Sequence, residues 1–188
     1  MRLQRLAIQD VAVIVPVKIG DNRGWFSETF KESWFRDSVD DVSFVQENQS
    51  YSQIPGIIRG LHFQIPPFTQ AKLVRCLRGS VLDVVVDLRI GSSTYGQSVS
   101  AILTAEAGEQ IWVPEGFAHG FCSLTPDVEI FYKVTAPYSP ECDRGIAFDD
   151  PTLGIVWPVN SAEAMVSPKD RALPRLADSP SYFQYAQH

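Results

Sequence analysis

The chain has 188 residues, 45% hydrophobic, 20% charged and 11% aromatic, which suits one globular domain with a compact extension and excludes both two full domains and a disordered polymer. Lys and Arg number 16 against 22 Asp and Glu, for a net charge of -6, so no overall basic field draws the chain to nucleic acid or to an anionic membrane. Cys76, Cys122 and Cys142 are an odd count with no Cys-x-x-Cys pair; neither a disulfide scaffold nor a structural zinc site is expected, and a reducing cytoplasm is the expected location.

In chain order, Gln9 and Asp10 break the first apolar run and Pro16 the next, so no signal peptide or membrane span is expected. Residues 11–15 read as a first strand. Ser27 is placed to cap a short helix through Phe30, Trp34 and Phe35, and residues 44–48 read as a second strand. In Arg59-Gly60-Leu61-His62-Phe63-Gln64, strand alternation puts Arg59, Leu61 and Phe63 on one face and His62 and Gln64 on the other. Residues 72–77 and 81–89 flank Arg78-Gly79-Ser80 and predict a hairpin. Residues 98–103, 110–113 and 128–134 continue the strand pattern, and Pro168 predicts the first turn of a helix near residues 169–173. The expected fold is all-β, a sandwich or barrel-like roll with short flanking helices, in one domain over residues 1–188 with a short helical extension after about residue 160. A roll of this kind leaves room for one small ligand.

Three histidines are present, and His188 is terminal, so a histidine-based mechanism must use His62 or His119. Beside apolar neighbours, a lone histidine is more often a hydrogen-bonded core residue. His119 lies in the turn-rich stretch Pro114-Glu115-Gly116-Phe117-Ala118-His119-Gly120, where backbone satisfaction and ligand contact are equally ready explanations. Asp170 follows Ser167-Pro168-Lys169 and suits a helix start. Alone, Lys72 reads as a surface charge, and Tyr132 and Tyr138 as core or rim aromatics. Arg23-Gly24-Trp25-Phe26-Ser27-Glu28 reads either as an exposed ion pair or as an anion-binding, ring-stacking loop.

Their order along one chain carries more than any single signal. The stretches Arg23 to Glu28, Gln46-Glu47-Asn48-Gln49-Ser50, Arg59 to Gln64 and Gln70-Ala71-Lys72-Leu73-Val74, with Gly79 to Val84, Pro114 to Phe121, Tyr132-Lys133-Val134-Thr135, Tyr138-Ser139-Pro140 and Ser167 to Asp170, closely resemble the dTDP-4-dehydrorhamnose 3,5-epimerase family. That resemblance implies a cupin-type jelly-roll β-sandwich, a homodimer, and epimerisation without cofactor or metal of a dTDP-linked 4-keto-6-deoxy hexose. It implies His62 as base, Asp170 holding its tautomer, Lys72 at the enolate oxygen and Tyr132 as acid on the opposite ring face. It places Arg23, Phe26, Glu28, Gln46, Asn48, Arg59, His119, Tyr138, Asp143 and Lys169 against the nucleotide sugar. Asp143 stands where the family more often has glutamate, Phe63 where tyrosine is common, and Pro137 where an aromatic is frequent.

The chemistry needs only these parts. C3 and C5 both flank the C4 ketone, so loss of either proton gives an enolate delocalised onto that oxygen. A mono-epimerase acting at C3 or C5 alone would share nearly every motif. A metal-dependent cupin oxygenase would want His-x-His and a nearby acid, whereas His62 is followed by Phe63-Gln64 with no acid before Lys72. A sugar-binding module would need no such set of His, Lys, Tyr and Asp.

Overall fold

The alternating runs sort into two facing sheets in a computed structural model of the chain, which describes residues 1–185; His188 lies outside them. In chain order the strands are β1 (Arg2–Arg5), β2 (Ala12–Val15), β3 (Ile19–Asp21), β4 (Gly24–Phe26), β5 (Gln46–Ser52), β6 (Ile57–Gln64), β7 (Lys72–Arg78) and β8 (Ser80–Asp87). They continue as β9 (Arg89–Ile90), β10 (Ser98–Thr104), β11 (Gln110–Val113), β12 (Phe117–Ser123), β13 (Val128–Val134), β14 (Asp143–Gly145), β15 (Met165–Val166) and β16 (Phe183–Gln184). The first sheet runs β1-β2-β11-β7-β13-β5 and the second β10-β8-β12-β6-β14, with β15 also on β6. Neighbours along both orders are antiparallel, as in a jelly roll.

The hairpin expected across Arg78-Gly79-Ser80 does not form. β7 pairs with β11 and β13, while β8 pairs with β10 and β12 in the other sheet. Gly79 takes a left-handed conformation (φ 76°) against Thr125 and Val128, where a Cβ would collide, and sends the chain from one sheet to the other. Alternation identifies a strand; it carries no information about the partner.

The apolar residues make three layers. Between the sheets pack Val74, Cys76, Val81, Val85, Leu103, Ile111, Phe117, Phe121 and Ile130. The outer face of the first sheet presents Ala12, Ile14, Leu73 and Trp112 to Phe35 of helix α1 (Glu32–Ser38). The outer face of the second presents Leu61, Phe63, Val84 and Val86 to the C-terminal segment through Leu153 and Phe183. Helix α1 begins later than the Ser27 cap implies: Lys31 occupies the N-cap, and the Thr29 carbonyl accepts from Gln110 Nε2 at 2.5 Å, which fixes the segment ahead of the helix. The expected helix near 169–173 is one short turn, α2 (Pro168–Arg171), capped by Ser167, whose hydroxyl accepts from the Asp170 N–H at 3.0 Å. The segment after residue 160 is less helical than expected, because β15 and β16 pair in parallel with β6 and β9.

Candidate active site

The site begins with an irregularity in β6. His119 of β12 pairs with His62, but Phe121 pairs with Arg59, so β6 carries one residue more than its neighbour. This is a β-bulge at Gly60-Leu61. It corrects the simple alternation: Leu61 and Phe63 still pack on the outer face, whereas Arg59 turns inward beside His62, and both line one cavity. Glycine is required there. Gly60 has φ 125°, and a Cβ on it would lie 2.6 Å from the Gly120 Cα.

The bulge also frees a backbone donor, which finds Asp170. Strand β15 runs parallel to β6 at Ile57 and Ile58 and carries the chain to Ser167 and α2. There Asp170 Oδ2 accepts from the Gly60 N–H at 3.2 Å, and Oδ1 lies 2.7 Å from His62 Nε2. Burial pushes the Asp170 carboxyl upward, but the bonds from His62, Gly60 and Ser167 outweigh it and hold it below the usual carboxylate range. An ionised carboxylate can only accept, so Nε2 carries the proton and the neutral imidazole keeps a bare Nδ1.

The opposite sheet supplies the other groups. Lys72 of β7 and Tyr132 of β13 line the same cavity of about 540 Å³ as His62, Arg59 and His119, within the range of small-molecule sites. Lys72 is 8% exposed and donates to the His62 carbonyl at 3.3 Å. Burial lowers its pKa to about 8, against the opposing pull of Asp143 and Asp83. Burial likewise raises the Tyr132 phenol, which is therefore protonated at neutral pH.

His119 is gripped from behind. Its Nε2 lies 3.0 and 2.9 Å from the two carboxylate oxygens of Asp83, a fully buried residue of β8. Asp83 escaped the sequence reading although it is the one carboxylate at an inward position between Val81 and Val85; an acid in phase with an apolar strand face is the signal that marks it.

A second cavity of about 350 Å³ shares His62, Lys72, Tyr132 and Lys169 with the first and adds Gln46, Asn48, Gln64, Gln70, Tyr138 and Asp143. Asp143 anchors its rim: Tyr138 donates to Oδ2 at 3.0 Å, and Lys169 forms an ion pair with the same oxygen. Gln46 accepts from the Tyr138 N–H at 3.0 Å and donates to Asn48 Oδ1 at 2.8 Å. Arg59 is braced by Ser52 Oγ at 3.2 Å and the Tyr51 carbonyl at 2.8 Å. Gln64, Gln70 and Ser50 are further lining residues the sequence reading passed over.

Arg23, Phe26 and Glu28 line neither cavity. They sit on or just after the β3-β4 hairpin, with the Arg23 side chain 85% exposed and paired with Asp21, and Phe26 71% exposed. Among the described residues no three His, Cys, Asp or Glu side chains converge as a metal site, and no helix is long and apolar enough to cross a membrane. The three cysteines are free and buried.

Comparison with known proteins bears on the family and the fold. The family model described as dTDP-4-dehydrorhamnose 3,5-epimerase matches residues 5–178. A dTDP-4-dehydrorhamnose 3,5-epimerase of Sinorhizobium fredii is 54% identical over 187 residues, covering 100% of this chain and 95% of the relative. A Legionella pneumophila 3,5-epimerase, solved in complex with dTDP-4-keto-L-rhamnose, superposes with a TM-score of 0.94 at 40% identity over 99% of both chains. A dTDP-4-dehydrorhamnose 3-epimerase of Streptomyces niveus is more distant, 36% identical over 95% of this chain and 86% of its own length. The matched span, the identity and the shared fold together place this chain in the dTDP-4-dehydrorhamnose 3,5-epimerase family.

Proposed function

We propose that the protein inverts C3 and C5 of dTDP-4-dehydro-6-deoxy-D-glucose to give dTDP-4-dehydro-L-rhamnose, without a cofactor. One observation carries the reading: a carboxylate-tethered imidazole on one sheet and a half-buried phenol on the other line a single cavity. His62 Nδ1 takes the proton alpha to the ketone. Lys72, about nine-tenths protonated at neutral pH for a pKa near 8, receives the charge that develops on the C4 oxygen; a contact that strengthens only then raises turnover rather than tightening ground-state binding. Tyr132 returns a proton from the other ring face, and delivery from the opposite side is what makes the exchange an inversion.

The rim fits the nucleotide. Arg59 and Lys169 supply cations for the diphosphate, Arg59 with a fork preset by Ser52 and Tyr51. Gln46, Asn48, His119, Tyr138 and Asp143 offer polar and stacking contacts. Arg23, Phe26 and Glu28 match family positions against the ligand yet stand outside this chain's own cavity. They meet substrate in a homodimer, in which each exposed β3-β4 hairpin serves the partner's cavity. The exposed apolar residues Val17, Ile19, Trp25 and Phe26 support that association. The three free cysteines suit a cytoplasmic enzyme.

The test is to incubate the protein with dTDP-4-dehydro-6-deoxy-D-glucose in heavy water and follow the product by NMR. Deuterium at both C3 and C5 with inverted configuration is the expected result; label at one carbon would identify a mono-epimerase, and no label would overturn the assignment.

A further inference from the structure

We propose that Gln64 is a positioning residue for substrate binding: its side-chain amide clamps the backbone of residues 137–139 and so fixes Tyr138 at the rim of the second cavity. The inference rests on the reading that Tyr138 meets the nucleotide sugar. Gln64 lines that cavity but is buried, and its amide is turned to the fold. Nε2 donates to the Phe68 carbonyl at 2.7 Å and to the Pro137 carbonyl at 3.1 Å, while Oε1 accepts from the Ser139 N–H at 2.7 Å. Both amide hydrogens are thereby used, so no donor remains for a ligand.

Two more glutamines hold the same segment, which joins β13 to β14. Gln70 Nε2 donates to the Ala136 carbonyl at 2.7 Å, and Gln46 Oε1 accepts from the Tyr138 N–H at 3.0 Å. Each residue from Ala136 to Ser139 thus has one backbone group bonded to a glutamine side chain. Gln64 is the one of the three that reaches the segment from the second sheet. Packing does not account for this: Pro137 and Tyr138 are exposed, Tyr138 by 55%. Ordering glutamine side chains costs conformational entropy, and a loop that buries so little offers no apolar gain to offset it. The arrangement makes sense if the loop must stand in one place. The Tyr138 phenol is tied at its far end to Asp143, which lies opposite Gln64 in the β6-β14 pairing. The ring is therefore held at backbone and tip, and a group ordered beforehand spares the complex the entropy of fixing it.

The experiment is a double-mutant cycle on the full-length protein, with Gln64→Met, Tyr138→Ala and the two combined. Methionine keeps the length of the side chain and removes all three bonds. Gln64→Met should raise KM for dTDP-4-dehydro-6-deoxy-D-glucose about tenfold and lower kcat only about two- to threefold, as loss of preorganisation does. In the Tyr138→Ala background the same substitution should change KM by less than about twofold, because the residue it positions is gone. A brace for the fold alone would act equally in both backgrounds, and equal factors would overturn the proposal. Amide exchange followed by NMR without substrate gives an independent reading. In the parent the Ser139 N–H should exchange at least about a hundredfold more slowly than in an unstructured peptide, and in Gln64→Met about tenfold faster than in the parent. Exchange in the parent at the unstructured rate would overturn the clamp, and this arm decides if the methionine variant fails to fold. It needs no substrate, so it stands apart from any failure of the assigned reaction.

Discussion

His62 and Asp170 are 108 residues apart in sequence and 2.7 Å apart in space. The contact fixes which imidazole nitrogen is bare, so Asp170→Asn should disable the base without removing it. The asparagine amide donates to Nε2 and moves the ring proton to Nδ1, the nitrogen that must accept. Turnover should fall by about 10³–10⁴, as when a histidine is held in the wrong tautomer, with little change in nucleotide affinity. Steady-state kinetics and calorimetric titration with dTDP check both halves.

Removing either reacting group separates abstraction from delivery. His62→Ala should abolish both inversion and solvent exchange while leaving the fold intact, because its side chain is 31% exposed and contributes little packing. Tyr132→Phe should lower inversion by about 10²–10⁴. Substrate recovered from that variant in heavy water should nevertheless carry deuterium, since His62 still takes the proton and returns one exchanged with solvent. Undeuterated substrate would assign abstraction elsewhere.

Lys72 links activity and stability in opposite directions. Its folded pKa of about 8 lies below the ordinary 10.5, so between those values the unfolded chain binds more protons than the folded one and stability rises with pH. The penalty is full below about 8 and relieved by about 10.5, worth up to about 3 kcal/mol at 1.36 kcal/mol per pKa unit. Denaturation of the parent and Lys72→Met at pH 8 and pH 10 should show their difference moving in the parent's favour. The activity of the parent declines over the same interval, as the ammonium is lost.

Gly120 offers a test of the bulge that touches no reacting group. A Cβ there would lie 2.7 Å from the Arg59 carbonyl and 3.0 Å from Leu61 Cδ2. Gly120→Ala should cost about 1–3 kcal/mol of stability, as overpacking does, and should depress kcat beyond what the lost stability explains, because the residues pushed are those that aim Arg59 and His62. Thermal melts beside kinetics at a temperature well below the transition resolve the two effects.

Much of this was legible in the chain. The runs at 110–113 and 128–134 appear as β11 and β13 with the expected bounds, because short apolar alternations between turn residues have few other uses. The ordered motifs carried most of the residues that line the two adjoining cavities, though Arg23, Phe26 and Glu28 line neither. Pairing was not legible: β7 and β8 adjoin in sequence and lie in different sheets, a choice made by long-range packing. The inward turn of Arg59 was hidden because a bulge changes phase without changing composition. Asp83 was hidden because its partner, His119, lies 36 residues away. The β3-β4 hairpin showed its motif but not its role, since its residues line neither cavity of this chain.

The position of Asp170 bears on how the protein matures. A ribosome makes the strands of both large sheets before it makes Asp170, so this carboxylate is the last of the site's groups to leave the exit tunnel. A nascent chain at that stage would have Lys72, Tyr132 and His62 in place but an imidazole free to hold its proton on either nitrogen. The tether therefore forms only once β15 lies along β6 and brings Asp170 to His62.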